Sequence, residues 1–364
     1  MVAFIVTILA LLALRPLAVA VDLVDYPGGR KHHHGCVPLV GGLAMFLGIA
    51  VSLGFLDLLE RLGPLVAAFG LLATVGLLDD RFDLSPWLRL PVHAAAATLL
   101  VFGTHTSITT LGDPFGMDLI GVHGVLSVGL AVLVIMAMIN AFNMLDGMDG
   151  LAGSTALICG VALLILAQRA GLRDSSHVAG IIIAVSAGFL IFNAPLQCNQ
   201  HLRCFMGDAG STVLGAALAW LSLRVSQTGV SAAVSPVTVL WVVALPMYEL
   251  IWSFSRRTLR GQSPFAADAE HFHHMVMKAG FSVRAAFLLF AVLVAILSTT
   301  GFMLEVADVA DGVSLLFLAL AGVIVIRMMY FAPRLAQMLP SFLQRFDRTA
   351  RHSRQRTARE NQGG

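Results

Sequence analysis

Residues 123–168 read HGVLSVGLAVLVIMAMINAFNMLDGMDGLAGSTALICGVALLILAQ, two apolar runs joined by a short polar passage. Each run approaches the length needed to cross a hydrocarbon core of roughly 30 Å. Between them Asn140, Asn143, Asp146 and Asp149 alternate with apolar residues, and Gly147 and Gly150 allow a tight, non-helical backbone close to a ligand. A purely structural connection rarely needs two carboxylates and two amides in ten residues. The same alternation of long apolar runs and short polar passages recurs along all 364 residues.

Composition agrees. The chain is 58% hydrophobic and 12% charged, with a mean hydropathy of +0.86. A soluble domain carries about 25% charged residues, so lipid is the solvent that fits this surface. Four cysteines are too few for a disulfide framework, and the Cys198, His201, Cys204 grouping lacks the C-x-x-C pair of a metal site. The N-terminal apolar run has no basic stretch before it and reads as a first span rather than a signal peptide. It is short ahead of Arg15, which points to a true start upstream.

These patterns predict an all-α polytopic membrane protein of about eleven transmembrane helices. The segments lie near 2–21, 38–56, 63–79, 88–103, 123–141, 152–168, 178–194, 210–223, 236–252, 286–303 and 312–331. With that count only Arg61, Arg169, Arg173 and Arg224, of 23 Lys and Arg, fall on one side. The positive-inside rule then puts the N-terminus in the periplasm and the C-terminus in the cytoplasm. Residues 1–341 form one integral-membrane domain. Residues 342–364 form a basic tail, read as a topogenic segment touching anionic lipid and not as a nucleic-acid binder.

In this topology the polar passages all reach the cytoplasmic face. LLDDRFDLSP places Asp79 and Asp80 at a span end, with Asp83 on the face of Asp79 if the helix continues. A carboxylate deep in lipid costs about 2.5–3.5 kcal/mol, so this triplet should face water or a cation, Arg81 being a local candidate. RCFMGDAGSTVLG boxes Asp208 between glycines ahead of Ser211, a setting suited to phosphate or a divalent metal. Phe205 is either a base-stacking ring or a core aromatic. His271, His273 and His274 lie among Arg256, Arg257, Arg260 and Lys278, and so many cations favour diphosphate binding over a zinc cage. Arg30 and Lys31 precede His32–His34 where an anionic lipid headgroup would meet them.

Together DYPGGRKHHHGCVPLVGG, LLDDRFDLSP, NAFNMLDGMDGLAGS, FMGDAGSTVLG and SPFAADAEHFHHMVMKAGF resemble, in order, the polyprenyl-phosphate N-acetylhexosamine-1-phosphate transferase family. The H-F-H-H form and the Arg-rich loop before it are most similar to the bacterial branch acting on undecaprenyl phosphate and UDP-GlcNAc. The departures are the short first span and the rearranged His32–His34 region. The resemblance implies transfer of a sugar 1-phosphate to the lipid with release of UMP, as the first step of a cell-surface polysaccharide such as an O-antigen. It implies Mg²⁺ or Mn²⁺ on Asp208, with Asp79 and Asp80 beside the reacting phosphates. Asn143, Asp146, Asp149, Asn193 and Phe205 would hold the uridine end, and Arg257, Arg260, His271, His273 and His274 the diphosphate and sugar. Arg30 and Lys31 would meet the lipid phosphate. It further implies the bacterial inner membrane, and a homodimer is compatible with a composition that carries no dimer signal. A secondary transporter would place its carboxylates near the midplane, often within repeats, and no repeat is visible. The pattern of a CDP-alcohol phosphatidyltransferase is absent, and a structural scaffold leaves the polar passages without a purpose.

Overall fold

The protein was analysed as a computed structural model that describes residues 1–26, 36–196, 202–227, 234–263 and 270–338, with side chains to 331. Arg30, Lys31, His32–His34 and the 342–364 tail lie outside the described residues. In chain order the elements are α1 (Val2–Ala20), β1 (Val24–Asp25), β2 (Val37–Pro38), α2 (Gly41–Phe55), α3 (Leu59–Phe82), α4 (Pro86–Gly103) and α5 (Gly124–Leu145). There follow α6 (Leu151–Arg169), α7 (Arg173–Asn193), α8 (Gly207–Gln227), α9 (Pro236–Val242), α10 (Ala244–Leu259), α11 (Phe272–Lys278), α12 (Val283–Val306) and α13 (Asp311–Met338).

Each of the eleven apolar segments falls on a helix or, for 236–252, on a helix pair. Among the described residues seven helices are long and apolar enough to cross a membrane, or eight if the bent pair is one span. This is a polytopic helical membrane protein. The first helix, Val2–Ala20, runs through Arg15 and Pro16 and matches the 2–21 segment. Two expectations are corrected. Residues 236–252 are not one straight span: α9 and α10 meet at 80° around Val243. Asp83 does not share the face of Asp79, because α3 ends at Phe82 and Asp83 takes a left-handed conformation, φ 51°, whose N–H bonds the Asp79 carbonyl.

Local chemistry sets several boundaries. Ser85 and Ser235 each cap a helix whose first residue is proline, and their hydroxyls accept the N–H groups of Trp87 and Val237. Ser282 caps α12 in the same way through Ala285. The antiparallel pair β1–β2 lies against residues 204–206: Phe205 N–H bonds the Pro38 carbonyl, while Gly41 and Gly42 N–H groups bond the carbonyls of Phe205 and Met206.

Helix α8 is the axis of the bundle, buried along nearly its whole length and packed on α2, α3, α5, α6, α7 and α9. Lipid tails are as apolar as leucine, so association in a membrane depends on close packing of small residues. The GDAGSTVLGAALA sequence of α8 supplies them. A Cβ at Gly42 would lie 2.1 Å from Gly210 N, and one at Gly76 would lie 2.3 Å from Ala209 Cα. The backbones of α2 and α3 thus touch the first turn of α8 directly. At its other end, the Gln227 side chain accepts from Thr109 N and Thr110 N at 2.8 and 3.1 Å.

Gly76→Val should therefore lower the thermal stability of the detergent-solubilised protein by about 1–3 kcal/mol through overpacking against α8. Gly63→Ala, in the same helix but with nothing within 4 Å of the added carbon, should be neutral or stabilising. Equal melting temperatures for the two variants would contradict the direct α3–α8 contact.

Candidate active site

The carboxylates Asp79 and Asp208 come from the end of α3 and the first turn of α8, 129 positions apart in sequence, and converge on one guanidinium. Arg89 Nη1, from the first turn of α4, lies 2.5 Å from Asp79 Oδ2 and 2.9 Å from Asp208 Oδ2. Asp79 Oδ1 accepts the Leu84 N–H at 2.7 Å, which ties the turn after α3 to the carboxylate. Asp208 Oδ1 accepts from Asn143 Nδ2 at 2.8 Å, and that amide also reaches Ser211 Oγ at 3.3 Å. Asp80 turns to the other side and accepts the Asp208 N–H at 2.9 Å. Its second oxygen is buried beside Gly207 with no hydrogen-bond partner among the described residues.

A cavity of about 310 Å³ joins this cluster to the histidine segment. Asp79, Arg89, Asn143, Asp208, Arg257, His271, His273 and His274 are among its lining residues. His273 stands against Gly147, where a Cβ would meet its ring at 2.3 Å. Its Nε2 is buried without a partner among the described residues, and burial with two neighbouring histidines holds its pKa well below the usual value. Helix α10 supports the segment from below. Buried Glu249 contacts His271 Nδ1 at 2.8 Å and Phe272 N at 2.9 Å, and Arg256 donates to the Glu270 carbonyl.

A second group lies beyond the cavity lining. Asp149 pairs with Arg203, whose guanidinium sits 4.9 Å from the Phe205 ring centre. Asp146, one residue past α5, has its carboxyl raised from 3.8 to about 8, first by burial and then by the charges of Asp80 and Asp149.

Of the predicted site residues, the structure brings Asp79, Asn143, Asp208, Arg257, His271, His273 and His274 into one cavity, with Asp80 behind Asp208. Asp146, Asp149 and Phe205 flank it. Two more are engaged outside the cavity lining. Asn193 Oδ1 accepts Gly150 N at 2.7 Å and its Nδ2 donates to Cys204 O at 2.9 Å, so it joins two loops. Arg260 does not line the cavity; it forms an exposed paired contact with Glu270 at 3.0 and 3.1 Å. Sequence reasoning missed Arg89, Arg203 and Glu249. The signal for Glu249 was a lone carboxylate inside the apolar segment 236–252.

The donor chemistry of Asp79 and Asp208 fits a hard divalent cation, because each aims an oxygen at one point that Arg89 Nη1 takes. Among the described residues no group of three or more His, Cys, Asp or Glu forms a ready cage. Mg²⁺ commonly binds through one or two carboxylates, completing its shell with water and substrate phosphates.

Residues 62–226 match the model of glycosyl transferase family 4. The chain is 35% identical over 303 residues to the undecaprenyl-phosphate alpha-N-acetylglucosaminyl 1-phosphate transferase of Escherichia coli strain K12, covering 83% of this chain and 82% of that protein. The protein of that name from Yersinia pestis is 33% identical over 355 residues, 96% of this chain and 95% of its own length. That from Haemophilus influenzae is 33% identical over 309 residues, 84% and 86%.

Because the folded state holds the Asp146 proton more tightly than the unfolded chain, stability should fall as pH rises from about 4 through about 8. Asp146→Asn, neutral throughout, should flatten this part of the profile. Melting temperatures of metal-free protein between about pH 5 and pH 9 test it; parallel profiles would refute the raised carboxyl.

Proposed function

From a chain that belongs to glycosyl transferase family 4, with undecaprenyl-phosphate N-acetylglucosaminyl 1-phosphate transferases as its relatives, we propose the following reaction. It transfers N-acetylglucosamine 1-phosphate from UDP-GlcNAc to undecaprenyl phosphate, giving undecaprenyl-diphospho-GlcNAc and UMP. The carrying observation is the single cavity that unites the Asp79–Arg89–Asp208 cluster with Arg257 and the three histidines. Carboxylates and cations lining one cavity suit a diphosphate and a metal together.

A phosphate oxygen of the lipid attacks the β-phosphorus of the nucleotide sugar. The bond from that phosphorus to the bridging oxygen breaks, and UMP leaves with the electron pair. Such transfer asks mainly for positioning and for neutralisation of charge on the phosphoryl oxygens. Asp208, with Asp79 sharing the charge, would hold Mg²⁺ or Mn²⁺, which supplies Lewis-acid stabilisation of those oxygens. Asp79 faces the cavity and Asp80 does not, so Asp79 is the member of the pair suited to orient the lipid phosphate. Asp80, bonded to the Asp208 N–H, holds the first turn of α8 in place. Arg89, Arg257 and the histidines present donors to the diphosphate. Arg203, stacked on Phe205 and paired with Asp149, would border the uridine end.

The positive-inside count supports a cytoplasmic site, where UDP-GlcNAc is available, in the bacterial inner membrane with eleven spans. In that membrane the product would initiate a cell-surface polysaccharide.

Purified protein with undecaprenyl phosphate, Mg²⁺ and UDP-GlcNAc should release UMP, and omission of lipid phosphate or metal should abolish release. UDP-GalNAc should be the poorer donor. Asp208→Ala should lose at least about 100-fold in kcat while melting near the wild-type temperature. No UMP from folded wild-type protein with any UDP-sugar would overturn the assignment, and near-normal turnover in Asp208→Ala would remove the metal role.

A further inference from the structure

The cavity has an outer and an inner tier. Asp79, Arg89, Asn143 and Asp208 lie near the ends of α3, α4, α5 and α8. One turn further into each of these helices stands a second lining residue: Gly76, His93, Asn140 and Thr212. A turn is about 5.4 Å, taken here toward the bilayer interior. Two of the inner side chains are spent on their own helices. Asn140 Nδ2 donates to the Met136 carbonyl at 2.7 Å, and the Thr212 hydroxyl to the Asp208 carbonyl at 2.6 Å. His93 is not: it is only 7% exposed, and its Nδ1 is enclosed with no hydrogen-bond partner among the described residues.

Buried N–H groups go unpaired more rarely than buried acceptors. A neutral ring carries one hydrogen, which therefore belongs on Nε2, because Nδ1 has no acceptor to give it to. The ring lines the cavity while Nδ1 is shut away, so Nε2–H is the donor it offers there. A doubly protonated ring would offer the same donor. The charges that act on the ring are those of Arg89 and Asp79, which places it beside the carboxylate suited to orient the lipid phosphate.

The two reactants come from different media. The nucleotide sugar is water-soluble and meets Arg257 and the 271–274 histidines, which lie at and beyond the end of α10. The polyprenyl phosphate travels on an apolar chain that stays in lipid, so its phosphate is the group that approaches the inner tier. We propose that His93 is an acceptor-binding residue: its Nε2–H donates to a phosphate oxygen of the polyprenyl phosphate and holds that group beside Asp79 and Arg89 for attack. This rests on the transferase reading for its substrate. An ionised phosphate oxygen accepts, so the direction of the bond matches the hydrogen on Nε2.

The test separates the two substrates and the two ring nitrogens. A glutamine amide can stand where Nε2 stands, an asparagine amide where Nδ1 stands, and leucine carries no donor. His93→Leu and His93→Asn should each raise KM for undecaprenyl phosphate about 10-fold, the loss expected for a hydrogen bond to a charged group, and change KM for UDP-GlcNAc less than about twofold. His93→Gln should keep both values within about threefold of wild type. In a binding arm without nucleotide sugar, His93→Leu should weaken binding of undecaprenyl phosphate about 10-fold and leave binding of uncharged undecaprenol unchanged. An unchanged acceptor KM in His93→Leu, an equal rise in both KM values, or equal behaviour of the Asn and Gln variants would overturn the proposal. Should His93→Leu fail to fold, His93→Asn against His93→Gln carries the comparison in both arms. Wild-type protein inactive on every UDP-sugar would sink the transferase reading alone, and the binding of undecaprenyl phosphate against undecaprenol would still decide the role of His93.

Discussion

The first turn of α8 touches the backbones of α2 and α3 with no side chain between them. Gly42 against Gly210 and Gly76 against Ala209 leave no room for even a methyl group. This contact fixes where Asp208 stands relative to Asp79 and Asp80. It also explains why Asp80 can reach the Asp208 N–H at 2.9 Å, satisfying a helix-start donor that would otherwise be buried unpaired. In lipid the hydrophobic effect does little to draw helices together, so close packing of small residues and satisfied polar groups must do so. Here the two devices occur at one turn of one helix.

Charge compensation is the second consequence. Asp79 and Asp208 would repel each other if brought together bare, and the structure places Arg89 Nη1 between them. Asp149 is answered by Arg203, and Glu249 by a ring nitrogen and a backbone N–H. The 80° bend between α9 and α10 contributes too, since it turns the polar face of α10 beneath the histidine segment.

Much of this was legible in the chain. Apolar runs fell on helices, because lipid leaves a spanning helix no other composition, while among the described residues seven or eight of them are long and apolar enough to cross a membrane. Aspartates, asparagines and histidines at the ends of those runs marked side chains that meet at one cavity, because such groups are too costly to place deeper without a purpose. The NAFNMLDGMDGLAG and FMGDAG passages could be read from their own residues. Arg89 and Arg203 counted only as topogenic charges, since Arg203 meets a carboxylate 54 residues away and Arg89 joins Asp79, 10 residues before it, to Asp208, 119 residues after it. The bonds of Asn193 to the Gly150 and Cys204 backbone groups were likewise invisible, because its sequence neighbours do not disclose them.

The sequence by itself thus determined a polytopic helical protein, the approximate helix positions and the polar segments that meet at the cavity. These follow from one-dimensional signals: run length, charge placement and residue type. Only the tertiary structure decided which polar groups face a shared cavity, which are spent on holding loops, and which carboxylate meets which cation. It also broke the segment at Val243 and turned Asp83 away from Asp79. The reason is physical: a hydrogen bond or ion pair acts over about 3 Å, and which groups come that close depends on helix packing that no local pattern encodes.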